Sequence, residues 1–133
     1  KETIPLILKI EEAVQEYSEL FKLKKRVKFS NMWININSYK DSNLIHTHPG
    51  CLISGVYYIK TPKNCGDIKF KQSSRIDDYL HYEPVTERNS LNAIFWSAPA
   101  IENTIYLFPS WLEHLVTLNY SKEDRISLSF NYR

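Results

Sequence analysis

Little in this chain of 133 residues serves anchoring, cross-linking or electrostatic capture. Cysteine occurs only as Cys51 and Cys65, in no CxxC arrangement. With no apparent signal peptide, this speaks against a disulfide framework and makes the cytoplasm the expected location. No run approaches the roughly 18 apolar residues that a membrane span needs, so no membrane association is expected. Seventeen basic residues stand against 15 acidic ones, a net charge of +2. That balance is too mild to indicate a nucleic-acid partner, which normally shows as a strong basic stripe. Internal repeats and low-complexity tracts are lacking too, which removes solenoids and linkers from consideration. The first residue is Lys rather than Met, as in a piece of a longer chain.

What is present suits a small folded enzyme or binding module. Hydrophobic residues make up 43% of the chain and nine are Tyr, enough for a real core, and the length fits a single domain over 1–133. At the start, Ile7, Ile10, Val14, Tyr17 and Phe21 recur at three- and four-residue steps, with Glu11, Glu12, Gln15 and Glu19 between them. The spacing predicts an amphipathic helix over about 4–24, with Thr3 as N-cap and Pro5 in the first turn. Lys22, Lys24, Lys25, Arg26 and Lys28 follow, where positive charge complements the helix C-terminus.

Beyond the helix the period falls to two. Strands are expected at 30–39, 44–48, 52–60, 66–70, 103–109, 113–118 and 125–132, with a long excursion over 71–99. One helix followed only by strands points to a mainly β fold, a sheet or barrel with the helix packed outside; a parallel α/β fold would need helices between the strands. Strand alternation puts Trp33, Asn35, Asn37 and Tyr39 on one side of their strand and Met32, Ile34 and Ile36 on the other. Likewise Arg125, Ser127, Ser129 and Asn131 oppose Ile126, Leu128, Phe130 and Tyr132. These polar faces fit either a solvent-facing sheet or a ligand-holding barrel interior.

Histidine is scarce, at four residues. His46-Thr47-His48 would place two imidazoles on one face of an extended strand, both able to reach one ion. His114, between two strand-like runs, is the natural third ligand. Three imidazoles on one octahedral face leave three positions open, which suits Fe(II) taking a bidentate molecule and dioxygen. Exposed strand histidines and a hydrogen-bonded core histidine would account for the same residues without a metal. His81 reads as a surface residue of the excursion, and Cys51 as a small core residue.

The strings His46-Thr47-His48-Pro49-Gly50, Leu52-Ile53-Ser54-Gly55-Val56-Tyr57-Tyr58, Leu107-Phe108-Pro109-Ser110-Trp111-Leu112-Glu113-His114 and Arg125-Ile126-Ser127-Leu128-Ser129-Phe130-Asn131 closely resemble a bacterial and phage family of 2-oxoglutarate/iron oxygenases. The resemblance covers residues 32–132 and implies a double-stranded β-helix, a jelly roll of cupin-like type. It implies His46, His48 and His114 as Fe(II) ligands, and Arg125, with Ser127 on its face, as the grip on the distal carboxylate of 2-oxoglutarate. Ile36-Asn37-Ser38-Tyr39 is similar to a strand in related nucleic-acid demethylases and brings in Asn37 and Tyr39 as cosubstrate contacts, with Tyr57 or Tyr58 as another source of the phenol. One departure stands out. His48 occupies the place where the wider superfamily has a carboxylate, leaving three neutral ligands; Asp67 is a weaker substitute ligand.

The implied reaction is hydroxylation of an unidentified substrate, coupled to oxidative decarboxylation of 2-oxoglutarate to succinate and carbon dioxide. Two other readings stay open: a three-histidine cupin-like metalloenzyme that uses no 2-oxoglutarate, and a non-enzymatic ligand-binding jelly roll. Substrate recognition is expected in the excursion, at Arg75, Tyr79, His81, Tyr82 and Trp96. A homodimer is compatible with the sequence but has no residue signal of its own.

Overall fold

The period-two segments close on one another as two four-stranded antiparallel sheets with a single helix outside. The computed structural model describes residues 3–24, 26–72 and 85–133, with side chains from Pro5 onward. In chain order the elements are α1 (Thr3–Leu20), β1 (Phe29–Asn37), β2 (Asn43–His46), β3 (Ile53–Lys60), β4 (Ile68–Lys71), β5 (Phe95–Ala98), β6 (Ile105–Pro109), β7 (His114–Val116) and β8 (Arg125–Tyr132). One sheet runs β1-β8-β3-β6 and the other β2-β7-β4-β5. The chain crosses repeatedly between the two sheets, which is the expected double-stranded β-helix with its helix on the outside.

The helix buries Ile10 and Val14 completely, and Leu6 and Tyr17 pack beside them against Phe130, Tyr132, Ile53 and Val27. Leu6, Ile10, Val14 and Tyr17 are spaced by four, four and three residues, a straight stripe along one helix face. Ile7 lies at the edge of that stripe, about 65° from its centre, and is 41% exposed, so its expected core position is corrected. Phe21 is likewise exposed, stacked on Tyr17 at 4.7 Å between ring centroids.

The helix also ends sooner than expected. Lys22 takes a positive φ of 52°, Leu23 N–H donates to Ser18 O at 3.2 Å and Lys22 N–H donates to Glu19 O at 3.0 Å. That is a Schellman close with Lys at the left-handed position. The last helical turn therefore contains no basic residue. The basic run lies beyond the helix, in the lead-in to β1; its Lys25 lies outside the described residues.

On β1 and β8 the polar faces point inward. Asn35 pairs with Ser127, Trp33 with Ser129 and Asn37 with Arg125 across the ladder, and Asn37, Arg125, Ser127 and Asn131 are all buried. Ile34 and Ile36 consequently face out, 60% and 61% exposed, because α1 covers only the part of the outer face around Met32, Phe130 and Tyr132. Between the sheets, Val56, Tyr58, Ile68 and Phe108 form a second apolar cluster. The barrel interior is thus apolar toward β3, β4 and β6 and polar toward β1 and β8. Gly55 is required by close approach. A Cβ there would run into the Phe130 ring and come within 2.8 Å of Leu107 Cδ2.

One strand was not expected. β5 lies within the segment read as an excursion and pairs with β4, Trp96 opposite Phe70. The excursion residues Arg75, Tyr79, His81 and Tyr82 lie outside the described residues. Among the described residues no helix is long and apolar enough to cross a membrane.

Candidate metal centre

His46 closes β2 and His114 opens β7, and the two are directly opposed in the ladder between those strands. His48 lies past the end of β2 rather than on the strand, so its placement has a different cause from the alternation expected. His48 N–H donates to Ser110 O at 2.9 Å, and Cys51 N–H donates back to His48 O at 3.3 Å. Pro49 and Gly50, the latter at φ 80°, fill the middle of that turn, a Pro-Gly pair suited to a turn whose third residue needs positive φ. The bond to Ser110 O holds His48 beside the strand residues. Ring centroids are 5.1 Å apart for His46 and His48, 4.3 Å for His46 and His114, and 5.0 Å for His48 and His114. One ligand nitrogen from each ring lies within 4.8 Å of the others.

Backbone carbonyls aim two of the rings. His46 Nδ1 donates to Leu44 O at 2.6 Å and His114 Nδ1 donates to Leu112 O at 2.8 Å. A carbonyl only accepts, so both rings carry their proton on Nδ1 and present a bare Nε2 to the shared space. Burial pushes the His114 pKa down to about 4, against the opposing pull of Leu112 O. Burial and then the neighbouring His46 lower that of His48. Neutral imidazole is the form that binds a metal. The set is all nitrogen, which suits iron, zinc, copper or nickel by softness alone. Asp67, the weaker substitute ligand, does not join the cluster; its Oδ2 accepts from Ser97 Oγ.

The rings stand at a cavity of about 610 Å³ between the sheets, lined also by Trp33, Asn35, Tyr58, Arg125 and Asn131. Arg125 is 2% exposed and donates from Nη1 to Cys65 O at 2.7 Å. Among the described residues no carboxylate comes within ion-pairing distance of its guanidinium. Tyr58 is equally buried, and its hydroxyl has no hydrogen-bond partner among the described residues. Burial raises its pKa and Arg125 works against that rise, so the phenol remains a neutral donor. A buried cation and a buried O–H, both short of acceptors, are an open offer to an anion.

The remaining candidates fall at different distances from this space. Asn37 is buried, but its Nδ2 is spent on Asn43 Oδ1 at 3.1 Å, so it borders the cavity through Asn43. Ser127 is buried on the Arg125 face, opposite Asn35 and Tyr58 in the ladders. Tyr39 is corrected: β1 ends at Asn37, and the Tyr39 ring is 54% exposed beneath Lys40 Nζ. Of the phenols weighed, Tyr58 is the one at the cavity. Cys51 lines the cavity, half-buried. Trp96 is 55% exposed in a groove with Phe70 and Trp111. Asn43 carried no signal in the sequence. Trp33, Asn35 and Asn131 were already on the polar faces given by alternation, yet nothing there distinguished a wall from a site.

A family model described as "Putative 2OG-Fe(II) oxygenase" matches residues 31–131. No curated protein matches the sequence. Among solved structures, the chain is similar to an oxidoreductase of the 2OG-Fe(II) oxygenase family from Burkholderia pseudomallei. That match has 15% identity and a TM-score of 0.65, covering 87% of this chain and 49% of that one. It is similar to a prolyl-4-hydroxylase from Pseudomonas putida at 12% identity and a TM-score of 0.65, covering 93% and 62%. It also resembles HygX from Streptomyces hygroscopicus, solved with iron bound, at 11% identity and a TM-score of 0.61, covering 96% and 67%. At such identities the likeness is one of fold. The chain spans about half to three fifths of the length of the first two.

Proposed function

Because this chain belongs to the 2OG-Fe(II) oxygenase family, we propose that it holds Fe(II) through His46, His48 and His114, binds 2-oxoglutarate, and oxidises a C–H bond of a further substrate. The observation that carries this reading is the pairing of two features in one cavity. Three imidazoles converge on one side, and a buried guanidinium without a carboxylate partner among the described residues stands in the same cavity. With iron bound at the histidines, dioxygen would be the oxidant, one oxygen atom going to the C–H bond and the other to 2-oxoglutarate, which would be converted to succinate and carbon dioxide.

The protein's share is binding, orientation and exclusion of water. The bare Nε2 atoms of His46 and His114 serve as metal donors already oriented by their own backbone. Arg125 takes the distal carboxylate of the cosubstrate and Tyr58 O–H adds a second donor to it. Ser127 and Asn37 support that wall from behind. Phe108 and Phe70 pack against His114 at 4.6 and 6.2 Å between centroids, which keeps bulk water from its inner side. The substrate enters past the exposed face of His46. Cys51 and Cys65 are free thiols, which fits the reducing cytoplasm as the place of action.

The test is turnover of 2-oxoglutarate without a primary substrate. Protein reconstituted with Fe(II) in air should form succinate slowly, and His114→Ala and Arg125→Met should each reduce that rate to background. Succinate formation unchanged by both substitutions would overturn the assignment. The all-histidine donor set equally fits a metalloenzyme that needs no cosubstrate, and oxidation of a substrate without 2-oxoglutarate would favour that reading instead.

A further inference from the structure

Around His48 the hydrogen bonds have a polarity that bears on how the third imidazole becomes available. Asn131, on β8, is 3% exposed. Its Oδ1 accepts from Ser54 Oγ at 2.7 Å and its Nδ2 donates to Asn31 Oδ1 at 2.9 Å. The same Nδ2 lies 3.3 Å from His48 Nδ1. An amide nitrogen only donates, so His48 Nδ1 accepts, and the proton of the neutral ring resides on Nε2. The other end of the ring agrees. His48 Nε2 is 3.2 Å from His114 Nε2, a bare acceptor because the His114 proton is committed to Leu112 O. A ring protonated on Nε2 has no lone pair there for a cation.

We propose that Asn131 is a positioning residue that sets the tautomer of His48, and that metal capture at this third position turns the Asn131 amide over so that Oδ1 accepts from His48 Nδ1–H. This rests on the three-histidine site being a metal centre. In the turnover Nε2 releases a proton to solvent and Nδ1 takes one up, so the ring stays neutral. The neighbours set the cost of each orientation. Ser54 and Ser110, each 1% exposed, have hydroxyls 2.8 Å apart, either of which can donate. Ser54 can therefore change from donating to Oδ1 to accepting from Nδ2 while it donates to Ser110. Asn31 is exposed and can rotate its own amide to match. Only the arrangement found satisfies every buried donor: in the turned one the Ser110 hydroxyl proton has no acceptor among the described residues, so the amide stays as found until metal capture at His48 offsets that loss.

The experiment reads the protonated nitrogen of each histidine by two-bond 15N–1H correlation, first on metal-free protein and then with Zn(II) as a diamagnetic probe. Expected is His48 protonated on Nε2, with His46 and His114 protonated on Nδ1, and a move of the His48 proton to Nδ1 when one equivalent of Zn(II) binds. Asn131→Asp replaces the amide with an acceptor, so His48 should be the Nδ1–H tautomer before any metal is added. Zn(II) should then bind about 10–100-fold tighter, as carboxylate–histidine pairs generally arrange. Tighter binding with no change of tautomer reflects added charge alone and overturns the inference. So does a metal-free parent protein already protonated on His48 Nδ1, a result that needs no variant to fold. Failure of Zn(II) to bind at all would overturn the metal reading and the capture step with it. Binding with the His48 proton unmoved overturns the inference alone.

Discussion

A guanidinium removed from water with no anion beside it is costly, and among the described residues Arg125 has one backbone carbonyl, Cys65 O, and no carboxylate as partner. Replacing it with Met should leave the metal-free fold as stable as before or more so. The same change should weaken 2-oxoglutarate binding by about 2–5 kcal/mol, with metal affinity unaffected. Melting curves and equilibrium binding, read together, check these opposite signs. His114 gives the pH dependence. Its folded pKa, about 4, lies below the ordinary 6.5, so the unfolded chain takes up the proton first as pH falls. Metal-free stability from this group is therefore fully present above pH 6.5 and is lost as pH falls toward 4, on the order of 3 kcal/mol in all. Denaturant titrations of the parent and of His114→Gln across that range should diverge only below about pH 6.5, where the ordinary histidine begins to take its proton. The histidine cluster was legible because histidine is scarce and His46, His48 and His114 sit in recognisable strings. Their tautomers were not, since each depends on a carbonyl or amide brought near only by the fold.

Elements built on a clean period came through best. β1 and β8 alternate over eight or nine residues, so their two faces followed from alternation, while their pairing with each other did not. β5 did not, because Phe95–Ala98 is four residues long at the edge of its sheet and a window so short shows no period. Its edge position should also make it labile. Amide exchange in β5 should be faster than in β3 or β8, both of which are paired on two sides. The end of α1 was misjudged since Phe21 prolongs the apolar spacing, while the left-handed Lys22 that stops the helix is not a residue type that marks a stop. Packing of the helix on the sheet carries two further expectations. Ile10→Ala should cost about 2–5 kcal/mol as a core cavity. Gly55→Ala should cost about 1–3 kcal/mol by overpacking against Phe130, each measured by urea unfolding.

On the scale of the whole molecule, a polar interior is the unusual feature, since β1 turns asparagines inward and leaves Ile34 and Ile36 uncovered. Hydrophobic pattern alone would have placed that strand the other way round. The inversion makes sense when the interior is a ligand chamber with a cation in its wall and three imidazoles at its side. Its most direct test is a visible spectrum under anaerobic conditions, with Fe(II) added to the protein and 2-oxoglutarate added next. A metal-to-ligand charge-transfer band should rise with the cosubstrate, vanish in His114→Ala and need far more 2-oxoglutarate in Arg125→Met. No band at saturating 2-oxoglutarate, or a band indifferent to both changes, would contradict the site described.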